Sequence, residues 1–241
     1  MGGENQGQGA RWKRVVDVSL TVAMLIMAVV IVWQNAIRAG QPTKSLAAAP
    51  QATVPKTPIA IKSPLVIGSP AATIGVVEFA DFECAFCAKF ANEVKPRLIR
   101  EYVDTGKVFL AFRNYPLKFH KRALPAALAA GCAARQGKYW DMFDYLFGGP
   151  DRLEDSGLEQ AGRAVGLRMP EYTACRSDAA MLQEVNADKA LGDELALSGT
   201  PTFFFGKRTD GQALSASAVL AGARPFDEFK AILDKMVAGL Q

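Results

Sequence analysis

The chain has 241 residues, half of them apolar, enough for one sizeable domain with a packed core and additional segments. Four cysteines and one histidine are too few for a multi-metal protein or a disulfide-dense small scaffold. The net charge of +4 is uneven: residues 1–63 hold seven basic residues (Arg11, Lys13, Arg14, Arg38, Lys44, Lys56, Lys62) against Glu4 and Asp17, leaving 21 basic and 22 acidic residues in 64–241. A near-neutral main region argues against nucleic acid as a partner, and a basic balance confined to the N-terminus points to membrane topology.

Residues 1–14 read as a basic, cytoplasmic tail whose first ten residues, polar and glycine-rich, are expected to be disordered. Between Val18 and Trp33 there is no charge, and the apolar stretch from Val15 to Ile37 is long enough to cross a hydrocarbon core of about 30 Å. Trp12 and Trp33 bracket it, and Arg11, Lys13 and Arg14 precede it. The expectation is an uncleaved transmembrane anchor over 15–37 with everything after Arg38 outside the cytoplasm. A cleaved signal peptide is the rival reading, but the nearest small-residue cleavage candidates, Ala47 to Ala49, lie well beyond the apolar run. Residues 38–63, rich in Pro, Ala, Thr and Gln, read as a flexible linker.

The domain is expected over 64–241. IGVVEFADF, from Ile74, is β-branched and apolar and reads as a buried strand. A helix follows from CAFC, its apolar positions Phe86, Phe90, Val94, Leu98 and Tyr102 at helical spacing, with Pro96 expected to kink it and Gly106 to end it. KVFLAFRN, 107–114, predicts a second strand. About 123–191 reads as an alanine-rich helical insertion. TFFFG, from Thr202, predicts a short strand turning at Asp210-Gly211 into ALSASAVLAG, and PFDEFKAILDKMVAGL closes the chain as an amphipathic helix. The order predicts an α/β domain: a mixed central sheet flanked by helices.

The chemistry centres on Cys84 and Cys87 in CAFC. A structural zinc site needs about four ligands, and Cys132, Cys175 and His120 are isolated and far from CAFC. Haem attachment needs a histidine after the second cysteine, where Ala88 stands. Two inert buried thiols remain the bland alternative. A redox pair has a physical basis: a strand running into the motif and a helix starting at it put Cys84 at a helix N-terminus, where unpaired N–H groups stabilise a thiolate. That thiolate forms a mixed disulfide, which Cys87, one turn on, resolves. Glu78, the only charged residue in the first strand, is a candidate proton relay for the second thiol. Thr200-Pro201, ahead of a strand, is a plausible cis peptide bond whose backbone could pair with an extended substrate.

VVEFADFECAFC, the PL of FRNYPLKFH, AALAAGCAARQGKYWDMFDYLF and GTPTFFF, in this order and spacing, resemble the DsbA-like branch of the thioredoxin superfamily over about three quarters of the chain. The resemblance implies a thioredoxin fold with a helical insertion and an exported thiol-disulfide oxidoreductase. It implies Cys84 as attacking cysteine, Cys87 as resolving cysteine, Glu78 as buried acid and Thr200-Pro201 as the cis-proline loop. No small-molecule cofactor and no metal is implied, because the cysteines carry the electrons. Reduced or unfolded exported proteins are the implied substrates, and a membrane quinone-linked thiol oxidase, or a transmembrane electron donor for a reductase or isomerase, is the implied partner. A tethered chaperone or binding module is the rival outside enzymes.

The residues between the cysteines, Ala85 and Phe86, depart from the Pro-His of strongly oxidising relatives. Without that histidine the helix N-terminus is left to stabilise the thiolate, and an intermediate potential is expected. Phe86 is expected at the surface as a substrate contact. Cys132 and Cys175 are either buried free thiols or, given the even count in an exported domain and similar spacing in some relatives, a structural disulfide. His120 is expected to be structural, Lys121 and Arg122 to be a solvated helix start, and the aromatics of YWDMFDYLF to pack the insertion.

Overall fold

The structure, a computed structural model, describes residues 27–31, 33–34, 52–62 and 65–239. The chain divides into two units, 1–48 and 49–241. In the first, 27–31 and 33–34 are helical, with Met27, Ile31 and Trp33 exposed. Among the described residues no helix is long and apolar enough to cross a membrane, and most of the anchor expected over 15–37 lies outside them, as does the basic tail.

The second unit is built on a six-stranded sheet. Its strands are β1 (Ile59–Ala60), β2 (Val66–Ile67), β3 (Ile74–Ala80), β4 (Val108–Asn114), β5 (Thr202–Thr209) and β6 (Ala213–Ala221). Their spatial order is β1-β6-β5-β3-β4-β2, with β3 and β4 parallel and every other pair antiparallel. β3 and β4 are buried along their whole length, which is why both read as continuous apolar runs. The strand expected at Thr202 is eight residues long, and Asp210 and Gly211, both at positive φ, make the tight turn into β6. Ile59–Ala60 falls inside the span expected as linker; it pairs with β6, and Ile59 is in the core.

Alternation along β3 sorts its side chains between two layers. Val77 and Phe79 join Phe109, Phe204, Leu214 and Ile59 on one face. Ile74 and Val76 join Leu110, Phe203 and Phe205 on the other, under Phe90, Val94 and Leu98 of the helix that follows CAFC and Phe229 and Leu233 of the last helix, Phe226–Ala238. Gly75 keeps this strand close to Phe109: a Cβ there would lie 2.1 Å from that ring.

The helix that begins within CAFC, α1, spans 85–103 and changes pitch. Ala85–Lys89 and Lys95–Leu98 are α-helical, whereas Phe90–Val94 and Ile99–Val103 are π-helical. The expectation was a kink at Pro96. Proline cannot donate the helical hydrogen bond, and the wider turns on either side absorb the fault. They also serve the core. An apolar stripe repeating every fourth residue drifts about 40° per step around an α-helix; π turns hold more residues and return Phe90, Val94, Leu98 and Tyr102 to the buried side.

The insertion comprises α2 (Ala123–Ala134), α3 (Tyr139–Leu146), a 3-10 turn (Pro150–Leu153), α4 (Asp155–Ala164), α5 (Met169–Arg176) and α6 (Ala179–Glu194). Phe82, Phe112 and Ala80 dock it on the sheet through Phe143, Phe147 and Tyr139. Buried Asp188 of α6 accepts from Arg113 Nη1 (2.5 Å) and Lys62 Nζ (2.6 Å), and Arg113 also donates to the Ala60 carbonyl. Cys132 of α2 and Cys175 of α5 form a disulfide across 43 positions. Closing a loop of that size restricts the unfolded chain, so a Cys132→Ala/Cys175→Ala double variant is expected to lose about 2–4 kcal/mol. Denaturant melting reads the loss, and the redox transition of CAFC is expected to stay in place.

Candidate functional site

β3 ends at Ala80 and the chain turns through Asp81, Phe82 and Glu83 into α1. Asp81 fixes that turn. Its carboxylate accepts from the Glu83 N–H (2.7 Å), the Leu117 N–H (2.8 Å) and His120 Nδ1 (2.8 Å), and its carbonyl accepts from the Cys84 N–H (3.1 Å). Glu83 takes the Arg122 N–H (2.6 Å) and guanidinium, and Arg122 also pairs with Glu154. Thus His120, distant from CAFC in sequence, stands beside the residue three before Cys84, and Arg122 is an ion-pair hub where a solvated helix start was expected. Phe119, next to His120, is 75 % exposed.

Cys84 is the N-cap of α1, in extended conformation (φ −77°, ψ 118°). It is 6 % exposed, and its thiol donates to the Thr200 carbonyl at 3.4 Å. Its pKa is lowered to about 5. The Cys87 thiol, hydrogen-bonding to the Cys84 sulfur, contributes most; burial opposes it; the N–H groups of Cys87 and Phe86 add to it. The helix start therefore contributes, but the neighbouring thiol contributes more. Cys87 is fully buried, and burial, followed by the Cys84 sulfur, pushes its pKa well up. The two sulfurs are divided into an easily ionised outer one and a protonated inner one.

Phe86, between them, is 64 % exposed. The Thr200-Pro201 bond is cis, and Pro201 is buried with its carbonyl bound to the Gly222 N–H at 2.7 Å. Glu78 lies on β3 between Val76 and Ala80, 1 % exposed, and burial raises its pKa to about 8. Lys95, which the sequence reading passed over, is buried on α1 and is the main influence drawing that value down. A lysine beside an apolar stripe gives no sign in sequence that it turns inward. Among the described residues no three of His, Cys, Asp and Glu come close enough together to hold a metal ion.

Residues 61–235 match the family model Thioredoxin_4, described as Thioredoxin. Curated relatives include the Na(+)/H(+) antiporter NhaA 3 of Salinispora tropica, 34 % identical over 164 residues, covering 66 % of this chain and 24 % of the antiporter. Another is NhaA 1 of Mycolicibacterium gilvum, 32 % identical, covering 65 % of this chain and 25 % of its own. The chain thus spans about a quarter of the length of these relatives. Among solved structures, alpha-DsbA1 of Wolbachia pipientis superposes with a TM-score of 0.64 at 26 % identity over 73 % of this chain and 91 % of that one. BdbD of Bacillus subtilis superposes with a TM-score of 0.63 at 22 % identity over 76 % and 98 %. With a mixed sheet, a helical insertion and a CxxC pair at the head of α1, the chain belongs to this thioredoxin family and is a DsbA-like thiol-disulfide oxidoreductase.

Proposed function

We propose that the chain donates disulfides to exported, reduced proteins, held at the outer face of the cytoplasmic membrane by residues 15–37. A substrate thiolate attacks Cys84 of the Cys84–Cys87 disulfide. The S–S bond breaks, and Cys87 leaves with the bonding electron pair and is protonated through Glu78. A second substrate thiolate then attacks the substrate sulfur of the mixed disulfide, and Cys84 leaves as a thiolate. The substrate loses two electrons and two protons; the pair gains the electrons, one proton rests on Cys87 and one passes to solvent. A membrane quinone-linked thiol oxidase restores the disulfide. Phe86 and the Thr200-Pro201 loop flank Cys84 and contact the substrate chain.

The observation that carries this reading is the environment of Cys84. A sulfur with a pKa of about 5 is a good leaving group. Lowering a thiol from its ordinary value to that level favours the reduced form by about 2.7 kcal/mol at pH 7, which corresponds to roughly 60 mV for a two-electron couple. The pair is therefore expected to be more oxidising than thioredoxin at about −270 mV, on the way to a strong oxidant at about −120 mV. Equilibration of the protein with glutathione buffers measures this. A potential at or below that of thioredoxin would replace disulfide donation with the reductase reading.

A further inference from the structure

Glu78 stands where nothing in the sheet can bond to it. Its cross-strand neighbours are Phe112 and Phe203, and neither carboxylate oxygen has a hydrogen-bond partner. An ionised carboxylate in such a place is strongly disfavoured unless a charge of opposite sign is near. The groups that bear on it come from two elements. α1 brings Cys84, Cys87 and Lys95, and α3 brings the Tyr139 hydroxyl with the Trp140 indole beside it. The Tyr139 oxygen and Trp140 Nε1 are themselves buried without partners. Lys95 is the one cation among these groups.

Lys95 is 3 % exposed, an unusual position for a lysine. Its ammonium lies 4.4 Å from the centroid of the Phe143 ring and 5.3 Å from that of Trp140. The Phe143 ring in turn packs at 5.2 Å on Phe112, the residue opposite Glu78. On its outer side the ammonium is paired with Asp144, whose side chain is 65 % exposed. Lys95 thus has the solvated carboxylate of Asp144 on one side and, on the other, the apolar sheet that holds Glu78.

We propose that Lys95 is a positioning residue for the dithiol: its ammonium, shared between the interior and Asp144, keeps Glu78 able to ionise and so able to take the Cys87 proton. The inference rests on Glu78 serving as the proton partner of Cys87. When the dithiol resolves a mixed disulfide, the Cys87 S–H bond breaks, the electron pair stays on sulfur and forms the bond to Cys84, and the proton passes to the carboxylate. In disulfide donation the same proton returns to Cys87. Without the ammonium, the minor fraction of Glu78 that is ionised near neutral pH falls further, and the exchange loses most of its acceptor. Asp144 acts in the opposite sense, because its negative charge offsets part of the ammonium's effect on the interior.

The test follows the carboxylic C=O stretch of Glu78 by infrared titration of the full chain, with Glu78→Gln as the blank. Lys95→Met is expected to raise the Glu78 midpoint by about one pH unit, a tenfold fall in its ionised fraction near neutrality. Lys95→Arg is expected to restore most of it, and Asp144→Asn to lower the midpoint. A merely structural ion pair would make Lys95→Met and Asp144→Asn lose stability alike with the midpoint unmoved. An unmoved midpoint in Lys95→Met, or an upward shift in Asp144→Asn, overturns the proposal. If Lys95→Met does not fold, Asp144→Asn at its exposed site decides: a lower midpoint supports the proposal and an unmoved one overturns it. The pH profile of thiol-disulfide exchange is recorded in parallel. If the Glu78 midpoint moves as expected while the rate profile stays fixed, Lys95 does control Glu78, and the reading of Glu78 as the proton partner of Cys87 is what fails.

Discussion

Replacing Cys84 with serine is expected to remove thiol-disulfide exchange, lowering turnover by a factor on the order of 10⁴ or more. The reason lies in the division of labour between the two sulfurs. Cys84 ionises at about 5 and stands at the helix start. Cys87 is fully buried with its pKa pushed well up, so it cannot meet a substrate disulfide or offer a thiolate in its place. The serine hydroxyl stays protonated at any working pH and forms no disulfide. Oxidative refolding of a reduced substrate protein, followed by loss of free thiols, reads the effect. Full activity in Cys84→Ser would mean that the surface around the Thr200-Pro201 loop works as a binding surface without redox turnover.

The second large effect is expected at Glu78, where substitution by glutamine should move stability and rate in opposite directions. An unfolded chain gives up the Glu78 proton near pH 4.3, whereas the folded chain keeps it to about 8. Between those values the folded state holds a proton that the unfolded state lacks, so stability falls as pH rises, by about 1.4 kcal/mol per pH unit, and levels off above pH 8. By pH 7.5 the carboxyl has cost about 4 kcal/mol relative to low pH. Glutamine removes that slope but leaves a buried amide to satisfy, at roughly 1–2 kcal/mol. A net gain of about 2–3 kcal/mol is expected at pH 7.5, shrinking toward pH 5, and denaturant melts across that range measure it. Meanwhile the proton partner of Cys87 is lost, and exchange is expected to slow about a hundredfold near neutrality. A variant neither stabilised at high pH nor slowed would show that the carboxyl is a bystander.

Much of this was legible in the sequence, for identifiable reasons. Ile74–Ala80 and Val108–Asn114 are buried on both faces, so they announce themselves as unbroken apolar runs. CAFC sits where such a run gives way to helical spacing, which locates Cys84 at a helix start before any coordinates. Glu78 is conspicuous as the single charge in its strand. Other features left no trace. Ile59–Ala60 and Val66–Ile67 are two residues each, too short to show a period, and β1 was absorbed into a linker rich in proline and alanine. The pitch changes of α1 cannot be told from a plain helix, because a stripe at every fourth residue fits both at short range. The contacts of His120 with Asp81 and of Arg122 with Glu83 join segments 39 residues apart. Lys95 is hidden for a different reason: its burial is decided by Phe143, Trp140 and Asp144, which arrive from an insertion some 50 positions downstream.

The buried ion pairs around Asp188 have a mechanical consequence. A force applied to the chain ahead of Ala52 meets that buried residue first and passes on to the segment 59–62. The resistance in that segment is a two-residue strand and the Ile61 N–H to Gln212 carbonyl bond, a weak grip taken alone. Behind it, Lys62 holds Asp188 and the Glu184 carbonyl on α6, and Arg113 of β4 holds the Ala60 carbonyl. Tension is therefore divided at once between the sheet and the helical insertion. A load on this end of the domain is borne by both lobes before it can reach the helix start that carries the two sulfurs.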